Sequence, residues 1–153
     1  MQRSLADFSR HLILAVVLAC LLALSTGCLG DAGNPVVVFP DPMLEAAIRE
    51  TIGKPSGDIK SSDIDDLTEF HASDKGIASL TGLEHCRDLT FLSLGQNKIG
   101  DLSPLSSLTS LTFLGLPSNR ISDLSPLSGL TRLETVFLDR NRISDICPLS
   151  GLT

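Results

Sequence analysis

The sequence repeats itself with a period of 22 residues, and this feature constrains the fold more than any other. Isoleucines recur at Ile77, Ile99, Ile121 and Ile143, each 22 positions after the previous one. Leucines, asparagines and prolines keep the same step. Their registers hold Leu89, Leu111 and Leu133; Leu94, Leu116 and Leu138; Asn97, Asn119 and Asn141; and Pro104, Pro126 and Pro148. Self-similarity at such a period indicates a solenoid, in which each short repeat packs against its neighbours.

Each repeat carries one short segment with the alternation of a β-strand. In Leu92-Ser93-Leu94 the two leucines lie on one face and the serine lies on the other. One such strand per repeat can pair in parallel with the strand of the next repeat, about 4.7–4.9 Å away. The sequence therefore predicts a parallel sheet to which every repeat contributes one strand.

The second half of each repeat has a different spacing. Leucines recur at every third position from Leu102 to Leu111, which suits a 3₁₀ turn better than an α-helix. We predict that Ser103 and Ser125 cap these turns and that the prolines after them occupy the first helical position. A wide sheet on one side and narrow turns on the other bend the stack into an arc, with the sheet on the concave face.

The segment from Leu89 to Ile99 has the pattern L-x-x-L-x-L-x-x-N-x-I, which is the leucine-rich-repeat signature. The sequence resembles the 22-residue class of this repeat found in internalins and related bacterial surface proteins. The resemblance covers residues 67–153 and is closest over the stretch 121–127. Residues 67–77 form a degenerate first repeat.

The resemblance implies an α/β leucine-rich-repeat solenoid, with short parallel strands on the concave face and 3₁₀ turns on the convex face. It also implies that Asn97, Asn119 and Asn141 bond backbone groups of the turn and form a ladder. A buried amide needs partners for its oxygen and for both of its N–H groups, so these asparagines are interpreted as structural. Lys75 replaces the asparagine in the first repeat.

Residues 41–66 are predicted to form a helical N-terminal cap over the exposed end of the leucine core. Asp41 and Pro42 begin an amphipathic helix that ends at Gly53. Its apolar face holds Met43, Leu44, Ala47 and Ile48.

The cap and the far end of the repeats differ. Ser61 or Ser62 is predicted to cap a second short helix that carries Ile64 and Leu67.

The sequence stops at Thr153, within a repeat and without a polar cap. Solenoids need such a cap, so we expect the repeats to continue in a longer protein.

The first 27 residues have the pattern of a cleaved export signal. Arg3 and Arg10 precede an uncharged apolar run from Leu12 to Leu24, and small residues follow it. The run is about 13 residues long, whereas a transmembrane helix needs roughly 20. A transmembrane anchor is therefore the weaker alternative.

The stretch Leu24-Ser25-Thr26-Gly27-Cys28 resembles the lipobox of bacterial lipoproteins, although Ser25 stands where a leucine is usual. The resemblance implies cleavage after Gly27 and a lipid on Cys28. Two or three acyl chains are needed, because one chain anchors a protein only marginally. A rival lipobox ends at Cys20, but it would shorten the apolar run to eight residues, so we favour Cys28.

The residues after Cys28 bear on location. Leu29 replaces the aspartate that tends to retain such lipoproteins at the inner membrane, which points to the outer membrane or the cell surface. Glycine, asparagine and proline are frequent in residues 28–40, which are predicted to form a tether. Within it, the segment from Val36 to Phe39 can pair as a short extended segment.

Charge and cysteine spacing exclude several kinds of partner. Without residues 1–27 the chain has 17 acidic and 10 basic side chains, and a net charge of minus seven opposes phosphate backbones, so nucleic acid is excluded. Cys86 occupies a leucine register and is predicted to be buried. Cys147 lies nearly three repeats away, about 14 Å by strand spacing, which is too far for a disulfide. Neither cysteine has the spacing of a metal site, so we expect no metal and no cofactor.

The outward strand positions define a predicted binding face. They hold Glu69, His71, Ser73, Phe91, Ser93, Gly95, Phe113, Gly115, Pro117, Thr135, Phe137 and Asp139. Outward phenylalanines are unexpected on a soluble surface. Phe91 and Phe113 share a register and should touch, so packing across the sheet, worth roughly 0.2–1 kcal/mol, is one interpretation. We favour a partner-binding patch, in which the phenylalanines are accompanied by Glu69, His71, Ser93, Thr135, Asp139 and Arg140.

No catalytic set can be assembled from these residues. Glu69, His71 and Ser73 are two positions apart on one strand, about 6–7 Å, whereas a triad needs contacts of about 2.6–3.2 Å in series. The sequence has no nucleophile-elbow, zinc-protease, P-loop or dinucleotide-binding motif. We therefore expect no enzymatic activity.

Two functions are compatible with these features. The first is a membrane-anchored module that recognises a protein or a glycan through the concave face. The alternative is the N-terminal targeting or recognition segment of a larger surface protein, either enzymatic or structural in the envelope.

Overall fold

A computed structural model describes residues 33–152 of the chain. Its second compact unit, Val36–Thr153, contains every element discussed below. Helix α1 (Pro42–Ile52) precedes four strands, which are β1 (Glu69–His71), β2 (Phe91–Ser93), β3 (Phe113–Gly115) and β4 (Thr135–Phe137). The strands form one sheet in sequence order, and every adjacent pair is parallel. Together with the 3₁₀ turns after the strands, this confirms the leucine-rich-repeat solenoid.

The core is a stack of aliphatic layers, one from each repeat. The central residue of each of the first three strands points inward, so Phe70, Leu92 and Leu114 are fully buried, whereas Phe91 and Phe113, which precede two of them, are only half-buried. On the convex side, Ser103–Leu105 and Ser125–Leu127 are 3₁₀ turns, as the every-third-residue spacing predicts. The same hydrogen-bond step continues beyond the first of them, from the amide of Leu108 to the carbonyl of Leu105.

The predicted asparagine ladder (Asn97, Asn119 and Asn141) is present. Asn119 Oδ1 accepts the N–H of Ile99 at 3.0 Å, and Nδ2 donates to the carbonyls of Leu94 and Leu116 at 3.0 and 3.2 Å. Asn97 and Asn141 make the equivalent bonds in their own repeats. Each amide thus joins its own turn to the preceding repeat, which holds the strands in register.

The residue before each ladder asparagine, and before Lys75 in the first repeat, has left-handed backbone geometry. Asp74, Gln96, Ser118 and Arg140 have φ angles of 57, 58, 56 and 58°. A non-glycine residue in this region costs about 1–2 kcal/mol, so the surrounding contacts must hold it there. The amide of Gln96 donates to the carbonyl of Pro117 at 2.8 Å, and that of Ser118 donates to Asp139 at 2.9 Å. For Gln96 and Ser118, the sharp turn after the strand is therefore held by a hydrogen bond to the next repeat.

The N-terminal helix α1 begins and ends as predicted. Asp41 Oδ1 accepts the N–H groups of Met43 and Leu44 at 2.9 and 3.2 Å, and Gly53 follows the helix at φ 66°. The helix buries Leu44, Ala47 and Ile48. The prediction was wrong for Met43, which is 47% exposed, because it lies in the first turn beyond the edge of the buried face.

The carboxylate of Asp41 also joins the helix to the first repeat. Its second oxygen, Oδ2, accepts the N–H groups of Ala78 and Ser79 at 2.7 and 2.9 Å. Burial raises the pKa of this carboxyl, but the four N–H groups outweigh it and hold the pKa below its ordinary value of 3.8. One side chain therefore caps the helix and fastens it to the repeats.

The second element of the cap differs from the prediction. Ser61–Asp63 is a 3₁₀ turn that follows Lys60, and neither Ser61 nor Ser62 is its N-cap residue. The carboxylate of Asp63 accepts the Lys60 N–H at 2.7 Å, so an acidic residue inside the turn satisfies the backbone. The predicted Ile64 is buried, and Leu67 packs against the core.

The serines of the convex turns also have a different role from the predicted one. Leu102 and Leu124 are the N-cap residues. Ser103 N–H donates to Asp101 Oδ1 at 2.8 Å, and its hydroxyl bonds the same oxygen. The aspartate two residues before the serine is therefore the acceptor for the backbone N–H of the turn, a role that the sequence pattern did not indicate.

The extended segment before α1 belongs to the core. Val36 pairs with Lys60 in an antiparallel bridge, and the Val37 N–H donates to the Ile59 carbonyl at 2.8 Å. Val37 and Phe39 are buried. The predicted tether, residues 28–40, therefore overlaps the folded unit from residue 36 onward. Its residues 28–32, the predicted signal at 1–27 and the proposed lipid site Cys28 lie outside the described residues.

Candidate functional site

Four side-chain rings cross the outer face of the sheet, and together we name His71, Phe91, Phe113 and Phe137 the aromatic stripe. Phe91 and Phe113 stack with ring centroids 4.1 Å apart and an interplanar angle of 4°. Phe137 lies 5.7 Å from Phe113, tilted by 53°, and His71 lies 4.8 Å from Phe91, tilted by 33°. The predicted contact between Phe91 and Phe113 is confirmed, and the rings extend it across every strand of the sheet.

Register and small neighbours create the stripe. Phe91 pairs with Phe113 directly, whereas Phe137 pairs with Gly115, two residues farther along β3. Gly115 leaves room for the rings, because a Cβ atom there would stand 3.3 Å from Cε1 of Phe113. Ser93, which pairs with Gly115 on the other side, is also small. The rings therefore have space above the paired positions Ser93 and Gly115, where the side chains are small.

His71 is part of the stripe although its spacing did not indicate this role. Across the sheet, His71 is in register with Ser93, Gly115 and Phe137. Phe91, whose ring contacts that of His71, is in register with Glu69 instead, two residues earlier on β1. The Nε2 atom of His71 lies 3.6 Å from Glu69 Oε2. The two side chains thus converge more closely than the 6–7 Å expected from strand spacing. Both are more than half exposed, and the distance exceeds that of a catalytic hydrogen bond.

The other predicted binding residues lie around the stripe and differ in how far they are exposed. Ser93 and Thr135 are half-buried within the sheet, while Glu69 and Asp139 are exposed. Arg140 is also exposed, but it lies in the left-handed turn that follows β4 rather than on a strand. The rings therefore form the continuous part of this face, and the charged groups lie toward its ends.

The two cysteines within residues 33–152 lie away from this face. Cys86 is fully buried, as predicted from its leucine register, and burial raises the pKa of its thiol to about 12. Cys147 is exposed at the start of a convex 3₁₀ turn. Within residues 33–152, no group of three or more histidine, cysteine or acidic side chains could hold a metal ion. Over the same range, no helix is long and apolar enough to cross a bilayer.

Comparison with known proteins agrees with the repeat and the fold. The family model for leucine-rich repeats (2 copies) matches residues 109–151. A crystal structure of an internalin (inlF) from Listeria monocytogenes is 37% identical, with a TM-score of 0.74, over 76% of this chain and 35% of that one. The functional domain of InlJ from the same organism, which includes a cysteine ladder, is 28% identical, with a TM-score of 0.67, over 75% of this chain and 26% of that one.

A third similar structure comes from another organism. It contains CBM51-2 in complex with GlcNAc and INT domains from Clostridium perfringens ZmpB, and is 36% identical with a TM-score of 0.53. The match covers 58% of this chain and 19% of that one. No curated protein sequence matches the chain. The chain spans about a third of the length of the inlF structure and less of the other two. These matches support an internalin-like leucine-rich-repeat protein, a fold that suggests a protein- or glycan-binding module.

Proposed function

We propose that this chain is a membrane-anchored module that binds a protein, or a glycan, through the concave face of its solenoid. The aromatic stripe is the observation that carries the proposal. It is continuous over four strands, and Phe137 at its end is 51% exposed. Contiguous exposed apolar surface on a soluble protein usually marks an interaction site, and aromatic side chains dominate binding hot spots.

The orientation of the rings favours a protein partner over a glycan. Phe91 lies between His71 and Phe113, so its two faces are covered by neighbouring rings. The ring edges, which carry partial positive charge, are what remains for a partner. Edges suit the faces of aromatic side chains and the methyl groups of aliphatic ones. A glycan is the alternative, since the similar ZmpB structure contains a complex with GlcNAc.

Binding is tested by comparing one stripe variant with one convex variant. Immobilised full-length chain is first probed with arrays of purified surface proteins and of glycans. For whatever binds, Phe113→Ala should weaken the affinity by about thirtyfold, the equivalent of 2 kcal/mol for a hot-spot truncation. Ser128→Ala, on the convex side, should leave the affinity unchanged. A loss with Ser128→Ala and none with Phe113→Ala would show that the concave face is not the site.

The anchor is proposed to be a lipid on Cys28, the residue that follows the small side chains of the lipobox-like stretch. Cells that express the full chain are labelled with a palmitate analogue. Cys28→Ser should abolish the label, whereas Cys20→Ser should retain it. Loss of label in the Cys20→Ser variant alone would transfer the anchor to the rival cysteine. Such a protein would be exported and held at the outer membrane or cell surface.

A second candidate is that the repeats serve as the recognition segment of a larger surface protein. The three similar structures favour it, because the matching region makes up only 19–35% of each of those chains. Sequencing the transcript beyond the codon of Thr153 tests it directly. A stop codon at that point would rule out this second candidate. Neither candidate assigns a reaction to the residues described.

A further inference from the structure

The largest exposed apolar side chains are not spread evenly over the molecule. In residues 33–152, the exposed large hydrophobic residues are Val36, Val38, Met43, Phe137 and Ile146. Phe137 belongs to the aromatic stripe, but three of these five lie within residues 36–43, at the N-terminal edge of the repeat domain. Val38 is 68% exposed and Val36 is 52% exposed.

The two valines are held on a fixed backbone and project to one side. Burial alternates along the segment, with Val37 and Phe39 inside and Val36 and Val38 outside, as a strand requires. The bridge from Val36 to Lys60 and the Val37 hydrogen bond pin the backbone. The Phe39 ring occupies the space over Gly82, where a Cβ atom would come within 2.5 Å of it. The exposed valines are thus a rigid part of the fold, which we name the valine edge.

We infer that the valine edge rests on the surface of the bilayer that holds the lipid anchor. This inference depends on the proposed lipid at Cys28. Val36 lies eight positions after Cys28, and at 3.3–3.6 Å per residue these eight steps span about 29 Å at most. The anchor therefore holds the valine edge within about 29 Å of the membrane surface.

The inferred contact between the valine edge and the bilayer must be apolar rather than electrostatic. The net charge of minus seven after removal of residues 1–27 opposes anionic lipid headgroups. The side chains of Val36 and Val38 gain from leaving water at the boundary between headgroups and acyl chains, where interfacial apolar residues are buried. Contact at this edge leaves the aromatic stripe, on the outer face of the sheet, free for a partner.

The absence of tryptophan from the chain allows a direct test. The lipidated full chain is reconstituted into phosphatidylcholine vesicles with brominated or ordinary acyl chains, and each variant carries one tryptophan. Val38→Trp and Val36→Trp should lose most of their emission in the brominated vesicles. Ile146→Trp is the matched control, since Ile146 is 72% exposed at the far end of the repeats, and its emission should not change. Circular dichroism of each variant confirms that the fold is retained.

Flotation separates the anchor from the edge. The full chain should float with the vesicles, and Cys28→Ser should not. If the chain floats but Val38→Trp is quenched no more than Ile146→Trp, the valine edge faces water and the inference is wrong, while the anchor stands. If the chain fails to float, the anchor is wrong and the inference falls with it. Adding anionic lipid should not increase quenching, and an increase would contradict an apolar contact.

Discussion

The asparagine ladder and the aromatic stripe are two columns of side chains that run across the same repeats, one inside the turn and one outside the sheet. In the ladder, Asn97 and Asn119 are only 8% exposed, and their amide groups bond to the backbone. In the stripe, the rings contact one another and leave their edges to solvent. The ladder is therefore buried and hydrogen-bonded, whereas the stripe remains accessible to solvent.

The two columns also differ in how strictly they follow the repeat. Asn97, Asn119 and Asn141 recur at 22 residues without a shift, because each amide bonds the backbone of its own repeat and of the one before. The stripe changes register at both ends, at His71 and Phe137. Packing demands periodicity, whereas a surface that packs only against itself is free to depart from it. Departure from the period therefore shows that the core does not fix the side chains at these positions.

The largest effect on stability is expected from the ladder. Asn119→Ala removes the acceptor for the Ile99 N–H and the donor to the carbonyls of Leu94 and Leu116. The buried Ile99 N–H is left unpaired, which costs about 1–3 kcal/mol. The two carbonyls keep their bonds from Asn97 and Asn141 and lose only the Asn119 bonds, worth about 0.5–1.5 kcal/mol each, so the free energy of unfolding should fall by about 3 kcal/mol. Urea denaturation measures it, with the exposed Ser122→Ala as the control. A loss below that of Phe113→Ala would reverse the comparison between the columns.

The second-largest effect on stability is expected at Asp41. Its carboxylate accepts backbone N–H groups in the N-terminal cap, as the asparagine side chains do in the ladder. Asp41→Ala removes the acceptor for four backbone N–H groups and should cost about 2 kcal/mol. Because the pKa of Asp41 is lowered in the folded state, its stabilisation is present above 3.8 and is lost as the pH falls through the folded-state pKa. Asp41→Asn should keep part of the cap and lessen the loss of stability in acid. Denaturation midpoints across this pH range test the expectation, and an unchanged acid dependence in Asp41→Asn would contradict it.

Phe113→Ala should have a smaller effect on stability than either change. The ring is half-buried and contributes one stacked and one tilted aromatic contact. Aromatic pairs contribute about 0.5–1.5 kcal/mol beyond their buried area, so a loss of about 1 kcal/mol is expected. Thermal unfolding of the variant used in the binding test measures it. If stability and affinity fell by the same large amount, the stripe would be a structural element and not a binding surface.

The smallest effect is expected at Gly115. A methyl group there stands 3.3 Å from Phe113 Cε1, so the ring must move by a few tenths of an ångström. Gly115→Ala should change the unfolding free energy by less than about 1 kcal/mol, since the ring is free to shift toward solvent. Affinity for the partner should nevertheless fall. Gly129→Ala, where a Cβ atom meets nothing within 4 Å, is the control, and equal affinities would show that ring position does not matter.

Sequence patterns predicted most of the repeat architecture and less of the cap. The strands, the 3₁₀ turns and the contact between Phe91 and Phe113 follow from spacing, whereas the ladder follows from the resemblance to the repeat family. The serine caps were wrong, because Asp101 and Asp123 lie two residues before the serines and accept their N–H groups. Within the predicted tether, the extended segment 36–39 was predicted to pair, but its partners Ile59 and Lys60 were not, because a short apolar segment has no period that reveals what it pairs with.

By itself the sequence determined the number and the order of the layers, since a 22-residue period with inward leucines can be buried only by stacking repeats in order. The tertiary structure alone decided three features. It turned Asp74, Gln96 and Ser118 into left-handed geometry through hydrogen bonds to the next repeat, and it brought Asp41 to the loop of Ala78 and Ser79. It also placed His71 against Phe91 by the direction in which the ring leans. The physical reason is that periodicity encodes which face of each residue is buried, whereas contacts between residues of different register depend on side-chain directions that no spacing records.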